Sequence, residues 1–135
     1  VAYLVDGNNV MGQRVGWHRD RAGAQRRLLR ELARFARAAG TPVTVVFDGR
    51  PAADVPDGAT VDGVRVHYAA PGADADDRIV ELVRAAPVGA APTVVTSDRL
   101  LIDRVREHGG RVVRSGELRR SLDEISPEGP EGGAG

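Results

Sequence analysis

The 135-residue chain contains no cysteine and no lysine. Without cysteine there can be no disulfide, no thiolate metal site and no cysteine nucleophile. Without lysine there can be no Schiff base and no phosphate-binding lysine of a Walker loop. The lysine-dependent receiver domains and most haloacid-dehalogenase-like phosphatases are disfavoured for the same reason. Aromatic residues are few: two tyrosines, two phenylalanines and one tryptophan. No apolar run approaches a membrane span and no signal peptide precedes the first strand, so a cytoplasmic protein without membrane contact is expected.

The residues that are present suit one globular domain, with 41% hydrophobic and 28% charged. The formal net charge is zero, from 19 basic and 19 acidic residues, yet the signs are segregated. Eight arginines fall between Arg14 and Arg37, against Asp20 and Glu31. Seven aspartates fall between Asp48 and Asp77, against Arg50 and Arg65. Seven more arginines fall between Arg99 and Arg120. Such a pattern suits an acidic site flanked by basic surface.

Short apolar runs alternate with helical periodicity. "AYLVD", "VTVVFD", "VRVHY", "TVVTSD" and "RVVRS" read as five strands, the third near an edge. Helices are predicted over 19–39, from "DADD" to Ala86, over 99–108 and over "GELRRSLDEI". The long stretch 49–63 reads as a loop. A single domain over 1–125 is expected, followed by a disordered tail over 126–135, "SPEGPEGGAG". Strand and helix in alternation predict a three-layer, Rossmann-like α/β fold with a central, mainly parallel five-stranded sheet. Ligands of such sheets bind beyond the carboxyl ends of the strands.

At that edge three predicted strands end in aspartate: Asp6, Asp48 and Asp98. A further cluster, Asp74, Asp76 and Asp77, opens a helix. Taken singly, each suits a turn or a helix cap. Jointly they form a set of carboxylates that repel each other, and a divalent cation relieves that repulsion. Oxygen donors without cysteine suit Mg²⁺ or Mn²⁺. Asp76 and Asp77 diverge by about 100° on a helix, so both cannot face one ion.

"YLVDGNNV" closely resembles the first strand and loop of the NYN domain, in its YacP-like branch of the PIN-like nuclease superfamily. "VTVVFDG", "ADADDRIVELV" and "VVTSDRLLIDRV" resemble its second strand, acidic helix start and fourth strand with the helix after it. The resemblance implies a PIN-like fold and metal-dependent endonucleolytic cleavage of single-stranded RNA by water attack. It makes Asp6 the central metal ligand, Asp76 or Asp77 the helix-borne one and Asp98 a third. Asn8 becomes the polar neighbour of the "DGxN" loop and Asp48 an outer ligand or orienting group. The duty of Asp74 stays open. Arg14, directly after the site, and Arg99, next to Asp98, are the arginines placed to meet phosphate, and Trp17 could stack on a base or simply cap the core. The stripe of Arg26, Arg30, Arg34 and Arg37 serves a solvated helix equally well. His18, His67 and His108 lie outside these motifs. An RNA-binding domain that does not cut, and a metal-dependent phosphatase, are the rival readings. The RNA target, a homodimer and a ribosome or RNA-decay partner are left open.

Overall fold

The computed structural model describes residues 2–125. The expected tail, 126–135, lies outside the described residues. Six strands form one sheet: β1 (Tyr3–Asp6), β2 (Val43–Phe47), β3 (Thr60–Val61), β4 (Val64–Tyr68), β5 (Thr93–Val95) and β6 (Arg111–Val113). Their order is β3-β4-β2-β1-β5-β6, and every pairing is parallel except β3 with β4. Five helices accompany them: α1 (Gly7–Met11), α2 (Arg21–Ala39), α3 (Ala75–Ala85), α4 (Arg99–Glu107) and α5 (Ser115–Ile125), with a 3-10 turn at Trp17–Arg19. No helix among the described residues is long and apolar enough to cross a membrane.

The sheet divides the core in two. On one face Val5, Val45, Phe47, Val66 and Val95 pack with Val10 of α1, Leu28 and Leu32 of α2, and Leu118 and Leu122 of α5. On the other, Leu4, Val46 and Val94 pack with Ile79 and Val83 of α3 and with Leu101 and Val105 of α4. Leu4 and Val5 thus go to opposite faces, as the two-residue period of a strand requires. Strands covered on both sides read as continuous apolar runs, which is how β1, β2 and β5 appear in the sequence.

The expected five-stranded sheet is corrected to six. The extra strand, β3, is a two-residue edge element inside the stretch read as loop. Asp62 and Gly63 both hold positive φ, 48° and 87°, the backbone of a tight hairpin turn. That turn folds Thr60–Val61 back along Val64 and Arg65. A second difference matters more for the site. The "GNN" after Asp6 is not an open turn; it begins the short helix α1.

Candidate active site

Parallel pairing carries β1, β2 and β5 to one edge in step. Asp6 is level with Val46 of β2, and Val5 with Val95 of β5. Asp48 therefore follows just past Asp6 on one side, and Thr96 comes beside it on the other. β1 lies in the middle of the three, so Asp6 is the central carboxylate, and it is buried at 5% exposure.

The residues after Asp6 explain why a polar knot ends a buried strand. Gly7 stands so close to β2 that a Cβ there would lie 2.5 Å from the Phe47 ring and 3.0 Å from Val45. Asn8 reaches one way: its Oδ1 accepts the Asp48 N–H at 3.0 Å. Asn9 reaches the other way: its Oδ1 accepts the Ser97 N–H at 2.9 Å and the Ser115 hydroxyl at 2.6 Å. The Ser115 N–H in turn donates to Ser97 Oγ at 3.0 Å. Two adjacent asparagines thus tie the strand ends on either side of β1 to α1. Asn is a poor helix former because its side chain competes for local backbone groups. Here both side chains are engaged with other strands, and α1 forms.

Asp6 precedes α1 without capping it. Its Oδ2 accepts the Thr96 hydroxyl at 2.9 Å, and Thr96 Oγ1 also receives the Asp98 N–H at 3.1 Å. Thr96, fully buried, thus joins the two carboxylate positions. Burial pushes the Asp6 pKa up to about 7, with Thr96 and the nearby Asn9 amide opposing and the charges of Asp76 and Asp48 adding to the rise.

The other acids divide. Asp48 accepts the Ala75 N–H at 2.7 Å through Oδ1, which pins the start of α3 to the end of β2. Asp74 caps α3 through the Asp77 N–H, so for Asp74 the cap reading holds. Asp98 caps α4 through Oδ1, accepting from Leu100 and Leu101. In Asp48 and Asp98 these bonds all fall on Oδ1. Asp76 is the helix acid that senses the others. Burial lifts its pKa to about 6, helped by Asp98, then Asp74 and Asp48, and opposed by Arg104. Asp77 instead pairs with Arg104 of α4 at 3.2 Å, in keeping with the 100° divergence.

The structure therefore gathers Asp6, Asp48, Asp76 and Asp98 at one edge, with Asn8 as a tie between strands. Among the described residues no three acids or histidines already stand as a ligating cluster. The fit to a cation lies in the donor chemistry: hard carboxylate oxygens, a buried central acid, and neighbouring like charges that add to the rise in the Asp6 and Asp76 pKa values brought about by burial.

The predicted RNA contacts sit differently. Arg99 is exposed at the first turn of α4, beside Asp98 and the 75%-exposed Leu100. Arg14 pairs with Glu31 at 2.8 Å and with Asp123 at 3.4 Å, so its charge is already matched inside the protein. Trp17 packs partly against the core, and the Arg21 guanidinium lies 5.4 Å from its ring centroid. Sequence reasoning missed Asn9, Thr96, Ser97 and Ser115. A threonine directly after the apolar pair Val94–Val95, as at Thr96, was the available signal.

No curated protein matches the chain. Among solved structures, Rae1 (YacP) from Bacillus subtilis superposes with a TM-score of 0.75 at 26% identity, covering 93% of this chain and 75% of that one. A mutant form of the same protein gives 0.76 at 25% identity, covering 92% and 76%. The model of the YacP-like NYN domain matches residues 3–131. This match, on a fold and an acidic edge of the kind just described, means that the chain belongs to the YacP-like NYN domain family, a family of PIN-like nucleases.

Proposed function

We propose that the chain is a Mg²⁺- or Mn²⁺-dependent endoribonuclease acting on single-stranded RNA. The observation that carries this reading is Asp6: a carboxylate buried at the middle of the sheet edge, held by the Thr96 hydroxyl, with burial first and then Asp76 and Asp48 raising its pKa.

Asp6, Asp98 and Asp76 would hold the cation, with Asp77 diverted to Arg104. Asp48 and Asn8 hold the strand ends in position. When bound, a divalent cation supplies a water of lowered pKa and charge stabilisation at the phosphate. The chain itself does the rest. Thr96 fixes the Asp6 carboxylate through Oδ2 and keeps Asp98 in line with it. Asp76, ionised above about pH 6, adds negative charge where a cation is wanted. Arg99, exposed beside Asp98, is placed to meet an RNA phosphate and to offset its repulsion by the acids. Histidine has no part, since His67 lies 3.4 Å from Asp57 and His18 and His108 are exposed.

The test is cleavage of a labelled single-stranded RNA with Mn²⁺, beside p-nitrophenyl phosphate. Wild type should cut the RNA alone, and Asp6→Asn should lose that activity while keeping its circular dichroism spectrum. Cleavage that survives Asp6→Asn or excess EDTA refutes the mechanism. Hydrolysis of the small ester with RNA untouched would favour a phosphatase, and salt-sensitive RNA binding without cleavage would favour a silent binding domain.

A further inference from the structure

We infer that the outer face of α2 is a track for the phosphate backbone of the RNA strand on one side of the cut, carried by Arg26, Arg27, Arg30 and Arg37. The inference rests on the nuclease reading above. α2 holds six arginines and a single acid, Glu31. At about 100° per residue, Arg26, Arg30 and Arg37 lie within about 40° of one another, and Arg27 lies about 60° beyond Arg30. All four are exposed, while Leu28, Leu32 and Phe35 on the opposite side of the helix are in the core. From Arg26 to Arg37 the row rises about 17 Å.

No acid of the protein neutralises this row. Glu31 is buried, and Arg14 and Arg119 already share its carboxylate. Among the described residues no carboxylate pairs with Arg26, Arg27, Arg30 or Arg37. Arginines three or four places apart, as Arg27 and Arg26 are from Arg30, repel and destabilise the helix that carries them. A helix face meant only for solvent is better served by interspersed charges of both signs.

The row calls for a partner with regularly repeated negative charge. Proteins and membranes also bind through apolar anchors. α2 offers none, since the large apolar side chains exposed among the described residues are Val15, Val88 and Leu100. A nucleic-acid backbone needs only cations, and it presents a charge at every nucleotide. The row is also placed for the flank of a strand held at the acidic edge. Arg27 and Arg30 border a cavity of about 320 Å³ that reaches Met11, the last residue of α1. α1 begins at Gly7, directly after Asp6, and its five residues cover about 7 Å. Arg99 belongs to α4, on the other face of the sheet from α2, so the two sets of arginine flank the acids from either side.

The test is binding of a labelled single-stranded RNA of about 16 nucleotides, followed by fluorescence anisotropy in EDTA across a salt series. Arg26, Arg30 and Arg37 are replaced together by glutamine, which has a similar helix propensity. A control triple replaces Arg65, Arg84 and Arg106, all exposed, on the other side of the sheet. At about 0.7 per phosphate for single strands, the α2 triple should lower the slope of log K against log salt by about 2. Between about 50 and 200 mM salt, wild type should then lose about 15–20-fold more affinity than the α2 triple. The control should keep the wild-type slope. Backbone contacts do not read bases, so oligomers of A, C and U should show the same fall. The α2 triple should melt no lower than wild type, since repulsion is relieved, and each single replacement should take about 0.7 from the slope. A fall no larger than that of the control, a fall confined to one sequence, or no wild-type binding overturns the inference. With the metal removed, the outcome is separate from catalysis. The expected fall in a protein that cuts no RNA with Mn²⁺ sinks the nuclease reading alone. Cleavage by wild type with the slope of the α2 triple unchanged sinks the track alone.

Discussion

Replacing Asp6 with asparagine should make the metal-free protein more stable at pH 8.5 and less stable at pH 4. The folded state binds the Asp6 proton more tightly than the unfolded state does, since its pKa is about 7 in place of 3.8. Wild-type stability from this group is therefore whole below pH 4 and is lost as pH rises through 7. A gap of about 3 pH units corresponds to about 4 kcal/mol in all. Between pH 5 and pH 8.5 the loss is about 3 kcal/mol, because the first part is complete by pH 5. Asparagine has no such loss. Its carbonyl can still accept from Thr96, but its amide group meets a dry site, at a cost of about 1–3 kcal/mol. The variant should then be less stable than wild type by about that amount at pH 4, and more stable by about 1–3 kcal/mol at pH 8.5. Urea unfolding in EDTA at four or five pH values measures the difference. A difference that stays constant across pH would refute the argument, because it would mean Asp6 is ionised throughout. Adding Mn²⁺ at pH 8.5 should reverse the ranking, since an ion that binds only the folded wild type stabilises it by mass action.

Gly7→Ala should lower stability by about 1–3 kcal/mol in thermal melts, because the new Cβ meets the Phe47 ring. Asn9→Ala should cost about 2 kcal/mol or more and lower RNA cleavage, since it strands the Ser97 N–H and the Ser115 hydroxyl; an unchanged melting temperature would show that water replaces the tie. Arg104→Ala removes the cation that lowers the Asp76 pKa, so the acid limb of the cleavage rate against pH should move to higher pH; a limb that moves down or not at all would remove Asp76 from the site.

The acidic edge was legible in the sequence because it follows from direction and period alone. Asp6, Asp48 and Asp98 each close an apolar run, and parallel strands carry such ends to one side. The division of labour was not legible. Whether Asp76 or Asp77 faces the others depends on the rotation of α3, which Asp48 fixes by binding the Ala75 N–H from another strand. Arg14 looked like a phosphate contact because it follows the site in sequence. Its partners, Glu31 and Asp123, are 17 and 109 residues away, beyond any local pattern. α1 was hidden by its composition: glycine and two asparagines favour a turn until other strands engage their side chains. The hairpin turn at Asp62–Gly63 was readable as "DG" and was overlooked because its first strand is only two residues long.

The ties around Asp6 also set when the site can exist. Asp6 meets Thr96 across 90 residues, and Asn9 meets Ser115 across 106. Non-local contacts of this kind form late, because the loop between them must close first. During synthesis the first strand leaves the ribosome long before its partners do. A nascent chain that has not yet exposed Ser115 has the central aspartate but not the framework that aims it. Fragments cut short before β5 should therefore lack the ties from Thr96, Ser97 and Ser115 that hold the acidic edge together.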